Sequence, residues 1–273
     1  MKTIQKFNKI CKDIKSIKIQ GAENIAKAGF NAYKLVPTKK SIKKLISLRA
    51  TEPMLFNLLK YHNNLSIKEL EEKLEQNQDK INKEVFKQIK NNSIIFTHCH
   101  SSTVTKAIIY AHKKGKKFEV YNTETRPLFQ GRKTYMELKK AGIKTTMFVD
   151  SAAQIALTKE QDKEEKTKPA NLMLIGADAI QKNGVINKVG SGMFAKIAKQ
   201  NKIPVYIISD SLKYSKQKIK FEQRSSKEVW NENNIKINIK NPTFELINRK
   251  DITRIISELG TLKYNNFVKK VKN

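Results

Sequence analysis

From residue 93 onward the chain alternates short apolar runs with stretches of helical periodicity, and this constrains its fold more than any other feature. The apolar runs are 93–99 (SIIFTHC), 118–123 (FEVYNT), 145–149 (TTMFV), 171–177 (NLMLIGA) and 204–209 (PVYIIS). Between them, 104–115, 132–142, 150–157 and 192–201 repeat apolar residues three and four apart. Strands joined through helices run parallel with right-handed crossovers. The expected class is therefore α/β: an amino-terminal helical domain followed by a Rossmann-like, mostly parallel sheet with helices on both faces. Ligands of such sheets sit beyond the carboxyl ends of the strands.

Those ends are polar. The first run leads into Thr97-His98-Cys99-His100-Ser101-Ser102, and the second into Thr123-Glu124-Thr125-Arg126-Pro127. The others lead into Asp150-Ser151, Gly176-Ala177-Asp178 and Ser209-Asp210-Ser211, with Lys213 just beyond. In a parallel sheet these groups converge on one crevice.

Residues 1–92 carry helical periodicity throughout and form the expected first domain, with 93–273 as the second. Ile4, Phe7, Ile10, Ile14 and Ile17 mark one apolar stripe; Leu45, Leu48, Leu55, Leu58 and Leu59 mark another, with Pro53 starting or interrupting a helix. Ser66 and Glu69 have capping-box spacing before a long amphipathic helix reaching Ile89.

The net charge is +30, from 55 basic and 25 acidic residues. It does not define a nucleic-acid binder. Only six of the basic residues are Arg, the side chain best shaped for bidentate phosphate and base contacts. The charge is also even along the chain: 20 basic and 9 acidic residues in 1–92, and 35 and 16 in 93–273. No apolar run approaches the length of a membrane span, and the Lys-rich start lacks the apolar core of a signal peptide. Two cysteines make no disulfide framework, so a cytoplasmic protein is expected.

Cys99 lies between a strand and a helix, where a helix dipole would favour its thiolate; a small buried hydrophobe is the alternative. His98 and His100 alternate along a strand and point to opposite faces, so no metal site is expected. Asp178 follows an apolar strand, either as a carboxyl with a raised pKa or as a helix N-cap. Asn187-Lys188-Val189-Gly190-Ser191-Gly192 leads into a helix whose amides could face an anion. No dinucleotide fingerprint and no P-loop is present.

Taken together, THCHS, ETRPLFQG, VDSAA, GADAIQKNGVINKVG and NPTFELI, with IQGAENIAKAG and LRATEPML upstream, resemble a known family. It joins ribose 1,5-bisphosphate isomerase, methylthioribose-1-phosphate isomerase and the alpha, beta and delta subunits of the initiation-factor-2 exchange factor. The likeness runs from about residue 19 to about residue 260. The isomerases keep a Cys and an Asp where Cys99 and Asp178 stand, and THCHS and NGVINK are most similar to the ribose 1,5-bisphosphate enzyme.

The resemblance implies a catalytic pair, Cys99 as base and Asp178 as acid, in nucleotide (AMP) salvage. It implies substrate contacts from Gln20, Gly21, Ala22 and Glu23, from Arg49, from Ser101, Ser102 and Thr103, and from Gln130, Asn187, Lys188 and Lys213. The implied partners are a phosphorylated sugar and a second copy of the chain, as a dimer or a hexamer, with no cofactor. Two departures stand out: Gln20 where the isomerases commonly have Arg, and a charged insertion-like loop at 158–170, expected to be mobile. The rival readings are a non-catalytic subunit that binds initiation factor 2, and a methylthioribose-1-phosphate isomerase.

Overall fold

The computed structural model describes residues 2–49, 52–159, 167–219, 221, 223–231 and 238–272. Most of the 158–170 loop, at 160–166, falls outside the described residues.

Five helices come first: α1 (Lys2–Lys15), α2 (Ala22–Leu35), α3 (Lys39–Leu48), α4 (Pro53–Tyr61) and α5 (Ile67–Gln88). Pro53 takes the first turn of α4, where its missing N–H costs nothing. Ser66 and Glu69 form the full capping box of α5. Phe7, Cys11, Ile14, Ile25, Phe30, Leu45, Leu55, Leu58 and Leu59 pack as one core. The apolar stripe of α1 differs from the expected one. Ile4 is 60% exposed, while Cys11 is buried in line with Phe7 and Ile14. Ile17 lies beyond the end of α1 at φ 63.

The alternating part follows as β1 (Ser93–Thr97), α6 (Ser102–Lys113), β2 (Phe118–Thr123), α7 (Gln130–Lys140), β3 (Thr145–Phe148), α8 (Ala153–Leu157) and β4 (Leu172–Ile175). A hairpin of β5 (Ala179–Gln181) and β6 (Gly184–Lys188) comes next. Then come α9 (Ser191–Gln200), β7 (Val205–Ile208), β8 (Phe244–Asn248), β9 (Arg254–Ser257), β10 (Gly260–Leu262) and α10 (Tyr264–Lys272).

The main sheet has the order β10-β9-β7-β4-β1-β2-β3, parallel except for β10. The strand order reverses between β1 and β4, so neighbouring connections leave on opposite faces and a crevice opens at the carboxyl ends of these two strands. On one face Ile81 and Val85 of α5 and Val104 and Ile108 of α6 cover Ile95, Val120 and Leu174. On the other, α8, α9 and α10 bring Ala156, Phe194 and Phe267 onto Phe96, Met173 and Ile207. The first half of α5, with Leu70 and Leu74, belongs instead to the helical core. Asn57 of α4 donates to the carbonyls of Leu212 and Tyr214 at 2.6 and 2.8 Å, tying the helical layer to the turn after β7.

The sequence patterns placed the five parallel strands β1 to β4 and β7 to within two residues. They did not show the small antiparallel sheet β5-β6-β8, nor β9, β10 and α10. Asp178 therefore enters a hairpin, its N–H bonded to the Ile186 carbonyl at 2.9 Å, and is not a helix N-cap.

Gly131 at the start of α7 has no space for a side chain: a Cβ there would lie 1.7 Å from the Thr123 carbonyl oxygen. Gly131→Ala is expected to destabilise the fold by at least about 2 kcal/mol, read as a lower urea midpoint at unchanged slope.

Candidate active site

A cavity of about 220 Å³ opens at the carboxyl ends of β1 and β4. Thirteen of the fourteen residues expected at the site line it: Gln20, Gly21, Ala22 and Glu23 at the start of α2; Arg49 after α3; Cys99, Ser101 and Ser102 at the junction of β1 and α6; Gln130 at the start of α7; Asp178, Asn187 and Lys188 at the two ends of the β5–β6 hairpin; and Lys213 after β7. Thr103 does not. It is buried on the far side of the first turn of α6, where its carbonyl accepts from the Gln78 side-chain amide at 3.2 Å. Helical geometry explains this: three consecutive residues cannot all face one side.

Cys99 sits in the left-handed region at φ 65, which costs a non-glycine residue about 1 kcal/mol. Its main chain is held on both sides. Its N–H donates to Thr125 Oγ1 at 3.0 Å, and its carbonyl accepts from Thr134 Oγ1 at 2.8 Å. Thr125 is itself at φ 65 and is fixed by Asp150, which accepts from the N–H groups of Thr125 and Arg126 at 2.8 and 2.6 Å. The ends of β2 and β3 thus reach the site through backbone support. His98 lies beneath, with Nε2 donating to the Val189 carbonyl at 3.0 Å and Nδ1 accepting from the Thr123 hydroxyl. Burial holds its pKa down at about 4, so the ring is neutral and braces β1 against the turn before α9.

The thiol of Cys99 departs from the sequence expectation. Burial pushes its pKa up to about 12, with a further upward push from Asp178 and Asp150, against a downward pull from Lys188. The residue is two positions short of Ser101, the N-cap of α6. Desolvation of the thiolate outweighs the dipole and the cation together. Asp178 moves as expected. Burial raises its pKa, against Lys213, Arg49 and Lys188.

The cations are themselves fixed. Lys188 and Lys213 are buried, and the Lys213 ammonium donates to the Ala177 carbonyl at 2.7 Å, next to Asp178. Asp210 shapes the Lys213 turn by accepting from the Leu212 N–H and the Asn77 amide, both at 2.8 Å. Arg49 pairs with buried Glu52 at 3.5 Å. Glu23 is ionised: burial opposes its charge, but Lys27, Lys106 and Lys213 win and hold its pKa low. The amide expected to face an anion at the start of α9 is already occupied, since Gly192 N–H donates to Glu245 at 2.6 Å. Asn187 and Lys188 instead reach the cavity from the end of β6. Gly176 makes room for Ser101, whose Oγ would lie 2.7 Å from a Cβ there.

Sequence reasoning missed Lys133, Arg224 and Phe244, which complete the wall. Lys133 follows Gln130 by one helical turn and was findable by spacing. Arg224 comes from a stretch with no local pattern and Phe244 from the NPTFELI motif, both brought in by the pairing of β8 with the hairpin.

Comparison with known proteins matches the model of the initiation factor 2 subunit family to residues 11–264. The ribose 1,5-bisphosphate isomerase of Archaeoglobus fulgidus is 30% identical over 91% of the chain and 87% of its own length. That of Methanocaldococcus jannaschii is 30% identical over 91% and 89%. Among solved structures, a translation initiation factor eIF-2B of Pyrococcus horikoshii superposes with a TM-score of 0.80, at 24% identity, over 94% of this chain and 96% of that one. The 5-methylthioribose 1-phosphate isomerase of the same organism gives 0.74 at 20% identity, over 97% and 87%, so the fold is shared by both.

Two measurements check the electrostatics. In a Cys11→Ser background, alkylation of Cys99 by iodoacetamide is expected to be far slower than that of a free thiol at pH 8, and to rise with pH beyond 9. His98, neutral in the fold, takes up a proton on unfolding below its ordinary pKa. Stability present above pH 6.5 is therefore lost as pH falls towards 4, by up to about 3 kcal/mol. In His98→Gln that loss is expected to shrink, read by urea denaturation across the same pH range.

Proposed function

The chain belongs to the initiation factor 2 subunit family and is an isomerase, and we propose that it converts ribose 1,5-bisphosphate to ribulose 1,5-bisphosphate. The observation that carries this reading is the pairing of half-buried Cys99 and Asp178 in one cavity, ringed by Arg49, Lys188 and Lys213. A proton-transfer pair among cations suits a phosphorylated sugar. The Archaeoglobus and Methanocaldococcus relatives, matched over nearly their whole length, bear the name of this reaction.

In this substrate the anomeric oxygen carries a phosphate, so the ring cannot open unaided. Asp178, whose pKa burial raises, donates its proton to the ring oxygen as the C1–O bond breaks. Cys99, once ionised, takes the proton from C2, and the electrons of that C–H bond form the C1–C2 double bond of an enol phosphate. The proton returns from sulfur to C1, and the C2 hydroxyl gives its proton back to Asp178. The product is the ketone, and both groups are restored. Lys188, the cation acting on both residues, steadies the negative charge as it moves.

The remaining lining residues fit substrate binding. Ser101 and Ser102 present hydroxyls at the start of α6, opposite the Gln20–Glu23 loop, and the Ser102 hydroxyl lies 3.5 Å from Glu23. Arg49 offers a fork to a phosphate, and Gln130 and Asn187 offer amides to sugar oxygens. In this reading the reaction serves AMP salvage, after a phosphorylase has made the sugar bisphosphate. A homodimer is supported by the outer edge of the sheet, where Met147, Val149 and Met136 are exposed together on β3, just after it and on α7.

The thiol pKa of about 12 favours a second assignment, with Asp178 as base and Cys99 as proton donor. The pH dependence of kcat/KM separates the two. It rises on the alkaline side if the thiolate is the base and falls there if the thiol is the acid.

Cys99→Ser and Asp178→Asn are each expected to lower kcat by at least about 10³-fold while the circular dichroism spectrum is kept. The assay is conversion of ribose 1,5-bisphosphate to ribulose 1,5-bisphosphate by the pure protein. Near-native turnover by either variant would overturn the assignment of the pair.

A further inference from the structure

Residues 223–231 form a strap between two walls of the cavity. On one side Gln223 makes an antiparallel bridge with Pro242, and the Arg224 N–H donates to the Asn241 carbonyl at 3.0 Å. This is the segment that leads into β8, whose Phe244 pairs with Lys188 of β6. On the other side Arg126 Nη2 donates to the Val229 carbonyl at 3.2 Å. Arg126 lies in the turn after β2, just ahead of Leu128 and Gln130 in the cavity wall.

The strap sends one side chain into the cavity, that of Arg224, which is 13% exposed. Behind it, Glu228 accepts from Arg224 Nε at 2.9 and 2.8 Å and from its Nη2. Glu228 is anchored in turn by the buried Asn241 amide at 3.2 Å, and it lies close enough to Lys188 to feel its charge. A guanidinium gripped this way by a carboxylate outside the cavity lining has a fixed plane. Its plane is set before any ligand arrives, in the part of the wall where β8 pairs with the Lys188 strand.

A sugar bisphosphate needs cations at both ends. The start of α6 and Arg49 are two candidates on the cavity wall, and Arg224 is a third. We propose that Arg224 binds one of the two substrate phosphates, and that Glu228 is the positioning residue that aims it. This rests on the sugar-phosphate reading of the site. Arg suits the position because its planar fork matches two phosphate oxygens while its other edge stays on Glu228.

The test uses the full-length protein and two independent readouts. One is the dissociation constant for inorganic phosphate by calorimetry. The other is KM and kcat for ribose 1,5-bisphosphate. Arg224→Ala is expected to weaken phosphate binding and raise KM by about tenfold or more, with kcat changed less than about threefold. Arg224→Lys, which keeps the charge and can keep the pair with Glu228, falls between. Glu228→Gln keeps phosphate binding within about threefold, because its amide oxygen still orients the guanidinium.

If the ion pair only staples the strap, Glu228→Gln loses as much as Arg224→Ala, and the assignment is overturned. It is equally overturned if Arg224→Ala binds phosphate as the wild type does, or if the wild type binds none. A wild-type protein that binds phosphate through Arg224 but does not turn over the bisphosphate sinks the substrate reading and leaves the phosphate contact standing.

Discussion

Between β1 and β4 the chain reverses the direction in which it adds strands to the sheet, and the site follows from that reversal. Connections on either side of the switch leave on opposite faces, so nothing fills the space beyond the two carboxyl ends. Cys99 follows β1 and Asp178 follows β4. They are 79 positions apart in sequence, and parallel pairing of adjacent strands makes them neighbours at one crevice. The helical layer then roofs this crevice with the start of α2 and Arg49, while the small sheet β5-β6-β8 walls it.

Enclosure sets the chemistry. Removing water penalises every charge, and the groups respond according to their partners. Glu23 keeps its charge because three lysines face it. Asp178 has three cations nearby, yet burial still moves its pKa upward. Cys99 has Lys188 and the His100 backbone N–H pulling downward, and burial still carries its pKa up to about 12. The crevice thus holds a carboxyl and a thiol, both shifted by burial towards their neutral forms, within a cationic frame. Such a frame suits an anionic ligand, and the chain's diffuse positive charge can draw that ligand in. The charge that looked like a nucleic-acid signal becomes a background field with a few fixed cations at its focus.

Several side chains hold Cys99 in place. Its left-handed backbone is braced by Thr125 and Thr134, Thr125 by Asp150, and the strand below by His98. Part of this was legible in the sequence: the polar residues all lie at strand ends, as the pattern indicated. Their roles were not. Asp150 and Thr125 looked like groups facing the ligand and proved to be supports. The N-terminus of α9 looked like an anion site and holds Glu245 instead. A residue one position along a loop can face the cavity or the core, and only packing decides which.

Local periodicity determined the helical first part, the five parallel strands and the region where ligand chemistry belongs. These depend on contacts between residues close in sequence or on the regular spacing of apolar side chains. Thirteen of the fourteen residues that the ordered motifs singled out lie together on the cavity wall. Tertiary structure alone decided the rest. The short strands β5, β6 and β8 have too few residues to show a period, and β8 finds its partner some sixty residues away. That pairing brings Arg224 to the site without any local signal, and Phe244 from a motif that gave no hint of its place on the wall. The protonation of Cys99 was also beyond the sequence, which showed the nearby helix and lysine but not the water that folding removes. Desolvation depends on every atom around a group, and so belongs to the folded chain as a whole.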